Sequence, residues 1–91
     1  MANQNVAGTF SGTGQSETVQ GKQVQFKMSF AGTASVDIEF LLGSSTWVKD
    51  PDGTAITASC IKVWDSPVSN QLRLNCTAHT NNVVYDIQVA D

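Results

Sequence analysis

The sequence predicts an all-β protein: a single small antiparallel β-sandwich of about six to eight short strands, jelly-roll or immunoglobulin-like in arrangement. Three observations predict it. Apolar residues recur at every second position rather than at the 3.6 spacing of helices. Turn-forming residues punctuate the chain at short intervals, and no stretch reads as a helix of any length. At 91 residues the chain has room for one domain.

Taken in order, the first fourteen residues are rich in Gly, Asn, Ser and Thr, with Val6 and Phe10 the large apolar exceptions. Residues 1–14 therefore read as an N-terminal arm ordered by contact with something else, and 15–91 as the β-sandwich domain. Phe10 is placed to plug into a neighbouring subunit. Residues 15–19 suit an edge strand. Over 22–30 the apolar positions are Val24, Phe26, Met28 and Phe30, and over 34–42 they are Val36, Ile38, Phe40 and Leu42. Each stretch has one apolar and one wet face, and the short link Ala31-Gly32-Thr33 predicts a hairpin between them.

Gly43-Ser44-Ser45 turns the chain into a short strand at Thr46-Trp47-Val48, and Asp50-Pro51-Asp52-Gly53 is a strong turn. From 54 to 64 the alternation changes phase. Ile56, Ala58 and Cys60 share one face, whereas Ile61 and Val63 fall on the other, as a bulge near Cys60 or a strand crossing between sheets would produce. Ser66-Pro67 opens a loop to Asn70. Two strands follow, 71–79 with Leu72, Leu74, Cys76 and Ala78 inward, and 83–89 with Val83, Tyr85, Ile87 and Val89 inward. Thr80-Asn81-Asn82 suits a hairpin turn between them.

Composition narrows the function. The formal net charge is −3 and the five basic residues are scattered, so no nucleic-acid partner is expected. No apolar run approaches the roughly 18 residues needed to span a membrane, and Met1-Ala-Asn-Gln-Asn5 has no signal-peptide pattern. The expected place of synthesis is thus a cytoplasm. Cys60 and Cys76 can form at most one bridge, and whether they do is left open. A small core of this kind gains from association, so a homo-oligomer is expected.

Catalysis lacks convergent groups, and the expectation is no enzyme, no cofactor and no metal. His79 is the lone histidine, there is no C-x-x-C, and His79 lies an odd number of residues past Cys76, which sends the two to opposite strand faces. Asp37 and Glu39 share a strand face, expected to be solvated. Asp50-Pro51-Asp52-Gly53 has no downstream calcium ligands. Asn75-Cys76-Thr77 matches a glycosylation sequon but follows no secretory signal. Trp47 and Trp64 are the side chains best suited to anchor a partner, so the candidate partner-binding residues are Val6, Phe10, Trp47 and Trp64.

The stretch F-A-G-T-A-S-V-D-I-E-F at 30–40, Thr46-Trp47, Asp52-Gly53-Thr54 and the closing L-R-L-N-C-T-A-H-T-N-N-V-V-Y-D-I at 72–87 resemble small phage-encoded virion accessory proteins. The resemblance spans about 24–89. Where that pattern carries an acidic residue and paired glycines before "T-W", this chain has Leu41-Leu42-Gly43-Ser44-Ser45. The resemblance implies a virion protein: a capsid decoration or cement protein bound to the major capsid protein or other virion proteins, as a trimer. The alternative is a tail-fibre or spike module recognising host glycans, with Trp47, Trp64 or Tyr85 stacking on sugars.

Overall fold

A computed structural model describes residues 5–90. It contains seven strands: β1 (Asn5–Phe10), β2 (Gly14–Gln15), β3 (Val19–Phe30), β4 (Ala34–Leu42), β5 (Thr46–Lys49), β6 (Cys60–His79) and β7 (Val83–Ala90). A single 3-10 turn occupies Pro51–Gly53, where the strong turn is predicted. The all-β antiparallel class and the strand number are as the alternation predicts.

The pairing is less simple than a row of hairpins. All seven strands join one sheet in the order β1-β7-β3-β6-β4-β5, with β2 beside β6. Two long strands each serve both halves of it. The second part of β3 lies between β7 and residues 60–65 of β6, whereas its first residues, Val19 to Gly21, meet Asn70 to Leu72. The later part of β6 pairs with β4, and β5 lies beyond. Two hydrogen-bonded sheets of the jelly-roll or immunoglobulin-like kind are therefore not separate here. One apolar cluster nevertheless draws Val24, Phe26, Val83, Ile87 and Val89 from one half and Val36, Ile38, Leu72, Leu74 and Cys76 from the other. The sheet closes over a common core. Burial of each of its large side chains contributes about 1.5–3 kcal/mol.

The two predicted hairpins turn out to be crossings. β3 and β4 are consecutive but unpaired, with β6 between them in the sheet, and β6 and β7 are likewise unpaired. Links 31–33 and 80–82 each carry the chain from one half to the other, and they lie against one another. Thr33 O accepts from the N–H groups of Thr80 and Asn81, at 3.0 and 2.9 Å, and Ala31 N–H donates to Asn82 O at 3.0 Å. Asn81 Oδ1 accepts from Thr33 N–H at 2.9 Å. Among the named strands only β4 and β5 make a hairpin, closed by Gly43 at φ 68°, a conformation glycine adopts without strain.

Three further expectations are corrected. Most of the described part of the arm is sheet: β1 pairs with β7 from Asn5–Gln88 to Phe10–Val83, and after a bend at 11–13 β2 pairs with β6; residues 1–4 lie outside the described residues. Gly8 stands directly opposite Tyr85, and a Cβ there would come within 2.7 Å of the Tyr85 hydroxyl. The Tyr85 ring fills that space and tilts against Phe10, centroids 4.7 Å apart. The phase change before Cys60 has no bulge at Cys60 itself. Residues 54–59 are a connection in which Ile56 makes an isolated two-bond bridge with Val36. The loop expected at Ser66 is an excursion inside β6: between Asp65 and Asn70 lie four residues, 66–69, while between their partners Gln23 and Gly21 lies only Lys22.

Candidate interaction face

The outward side chains of β1, β7, β3 and residues 60–65 of β6 form one open face. Register and alternation arrange it in rows. One row runs Asn5, Gln88, Gln25, Val63; the next runs Ala7, Asp86, Lys27, Ile61; a third runs Thr9, Val84, Ser29. Three of the most exposed large apolar side chains lie here: Ile61 at 60%, Val63 at 67% and Val84 at 54%. Lys27 and Asp86 are cross-strand neighbours of opposite sign, so the middle of the face carries no net charge. Two open grooves score it, one of about 530 Å³ between Gln23, Gln25, Val63 and Gln88, the other of about 430 Å³ between Lys27, Ile61, Val84 and Tyr85.

The outward face of the other half is built differently. Asp37 and Glu39 on β4 are expected to be solvated, yet they are 2% and 6% exposed. Arg73 Nε donates to Glu39 Oε1 at 2.7 Å, and Asn75 Nδ2 donates to Glu39 Oε2 at 3.1 Å. Gln15 Nε2 donates in turn to Asn75 Oδ1 at 3.2 Å. The Arg73 guanidinium also lies over the Trp47 ring, 4.2 Å from its centroid. Asp37 Oδ1 accepts from Ala55 N–H at 2.7 Å, while Lys49 Nζ is 3.5 Å from Asp37 Oδ2. Ala55 is held at φ 54°, a left-handed conformation that costs an alanine of the order of 1 kcal/mol. Each carboxylate is committed to its own partners. This is how a buried charge is tolerated.

None of the four predicted partner-binding side chains lies on the open face. Phe10 is 6% exposed and belongs to the chain's own core, so it is not a plug for a neighbour. Val6 packs half-buried against that core. Trp47 sits beneath Arg73. Trp64 is tilted against Phe40 with centroids 5.5 Å apart, and its indole Nε1 is buried without a hydrogen-bond partner. The sequence did carry a signal for the exposed residues: the phase change put Ile61 and Val63 on the face opposite Cys60.

The remaining reactive groups are dispersed. His79 Nε2 lies 3.1 Å from Asn82 Oδ1 in an exposed pair, and Asp50 Oδ1 accepts from Asp52 N–H, an ordinary turn contact. Cys60 and Cys76 are free thiols. Burial pushes the Cys76 thiol above its ordinary range. Burial, with a smaller contribution from the Glu17 charge, does the same to the Tyr85 phenol. Among the described residues no group of three or more His, Cys, Asp or Glu side chains is placed to hold a metal ion. The chain matches no family model, no curated protein and no solved structure.

Proposed function

We propose that the protein is a non-catalytic structural component of a phage particle, a decoration or cement protein that docks on the outer capsid surface as an oligomer, in the virion, after synthesis in the host cytoplasm. One observation supports it best: the open face gathers Ile61, Val63 and Val84 around a charge-neutral centre with carboxamides beside them. Apolar side chains clustered with few net charges are the composition of a protein-binding patch. The glycan alternative draws less support, because one face of Trp47 is covered by Arg73 and Trp64 leans on Phe40.

Co-sedimentation with capsids lacking the protein tests this. The parent chain is expected to pellet with them, and Ile61→Lys combined with Val84→Lys is expected to abolish pelleting. Thr57→Lys, at an exposed position in the connecting segment, should pellet normally. Failure of the parent chain to pellet, or undiminished pelleting of the double variant, would remove the proposal.

A further inference from the structure

Over residues 60–65 strand β6 is paired on one side only. β3 takes that side, and among the described residues no strand lies on the other. The direction of the unused backbone groups follows from alternation. In an antiparallel pair each residue turns both its N–H and its C=O to one side, and the next residue turns them to the opposite side. Phe30 N–H donates to Ser59 Oγ at 2.9 Å, toward β6. Met28, Phe26 and Val24 are in phase with Phe30 and so bond to Cys60, Lys62 and Trp64, which stand opposite them. Ile61, Val63 and Asp65 are left with their backbone groups facing outward, and Ile61 and Val63 are the residues whose side chains are exposed beside that edge.

We propose that two copies of the chain pair along this edge, antiparallel, about a two-fold axis through Val63. The register follows from hydrogen bonding and charge. With Val63 opposite Val63, Ile61 of each copy stands opposite Asp65 of the other, and three pairs of two bonds give six. A shift of two residues one way sets Lys62 against Lys62 and moves Asp65 beyond Ile61, opposite Ser59. A shift the other way sets Ile61 against Pro67, which has no N–H. In the Val63-centred register Lys62 faces Trp64, a cation beside an indole, and no like charges are opposed. The edge charges, Lys62 and Asp65, cancel, so the net charge of −3 does not act at the contact. The joined sheet places the two open faces side by side as one surface. This two-fold pairing differs from the three-fold assembly expected from the sequence, and the oligomer mass distinguishes them.

Light scattering across a concentration series is the test, on the parent chain and on Val63→Pro. The proline removes an N–H that bonds nothing among the described residues, a position where an edge strand accepts proline, and circular dichroism checks that the fold is kept. The parent chain is expected to rise to twice the monomer mass and the Val63→Pro chain to stay at it. In a Cys60→Ser background, Val63→Cys is expected to oxidise to a covalent dimer at least tenfold faster than Val84→Cys. Hydrogen-bonded partners hold their Cα atoms about 5.5 Å apart, within disulfide reach. A parent chain that stays monomeric, a trimer, a Val63→Pro dimer, or equal cross-linking at positions 63 and 84 would each overturn the pairing. Capsid docking is read separately, by pelleting, so either proposal can fail without the other.

Discussion

The two outward faces of this small protein solve opposite problems with the same strand geometry. On β4 and the later part of β6, alternation points Asp37, Glu39, Arg73 and Asn75 outward, and they are drawn together and covered. On β7, β3 and the early part of β6, alternation points Ile61, Val63 and Val84 outward, and nothing within the described chain covers them. Polar residues are buried on one side and apolar residues exposed on the other. The difference teaches that a strand's wet face is defined by what lies over it, not by the residues it carries. One face spends its side chains on holding the fold; the other keeps them for contact.

Substitutions should separate the two faces sharply. Arg73→Ala leaves the nearly buried Glu39 carboxylate without its cation and uncovers Trp47, and a loss of about 3 kcal/mol is expected in urea unfolding. Val63→Thr on the open face should stay within about 0.5 kcal/mol of the parent in the same assay. Replacing both charges, Glu39→Leu with Arg73→Met, should recover most of the loss, since an apolar pair carries no desolvation cost. A double variant as unstable as Arg73→Ala alone would show that the network does more than satisfy a buried charge.

Asp37→Ala is expected to cost about 1–2 kcal/mol, because the Ala55 N–H loses its acceptor. Hydrogen exchange at Ala55 should accelerate before exchange in β3 does. A smaller gain is expected from Ala55→Gly, about 0.5 kcal/mol or less, since relief at φ 54° is partly offset by the greater freedom of glycine in the unfolded chain. Chemical denaturation of that variant checks it; a midpoint lowered as for glycine at an ordinary position would mean that no strain is relieved there.

The smallest effect is a decline in stability at alkaline pH. The folded chain holds the Cys76 thiol and the Tyr85 phenol above their ordinary ranges, so the unfolded chain ionises first. Their contribution is complete below the ordinary thiol range and is lost as pH rises through the thiol and then the phenol range. Cys76→Ala should flatten the first part of that decline in a pH series of urea midpoints. In the native protein the half-buried Cys60 should react with a thiol reagent well before Cys76.

How much of this is legible in the sequence depends on the question asked. Alternation identifies most inward residues: Val24, Phe26, Met28, Val36, Ile38, Leu72, Leu74, Cys76, Val83, Ile87 and Val89 are buried, whereas Leu42 at the strand end and Ala78 beyond a register shift are exposed. It says nothing of neighbours. Ala31-Gly32-Thr33 and Thr80-Asn81-Asn82 are short enough for hairpins, yet each crosses between halves, and nothing local separates the two outcomes. Strand β1 has a period-two row, Val6, Gly8, Phe10, masked because its middle member has no side chain and is filled out by Tyr85 from the facing strand. The burial of Asp37 and Glu39 is illegible for a related reason. Their cover comes from Arg73, Asn75 and Ala55, distant in the chain, and a single strand shows only two carboxylates on its polar side. Ile61 and Val63 are readable as outward, but their small size carries no anchor signal of the kind that aromatic residues give.

The long strand β6 has a practical corollary. Its early residues are bound to β3 and its later ones to β4, with the exposed Val68 at the excursion between them. A cut there would divide one strand into two tails: the early one stays in one fragment with its partner β3, and the later one leaves with β7, parted from β4 and β3. Such fragments should be inert when separate and reassemble when mixed, the behaviour required of a split reporter.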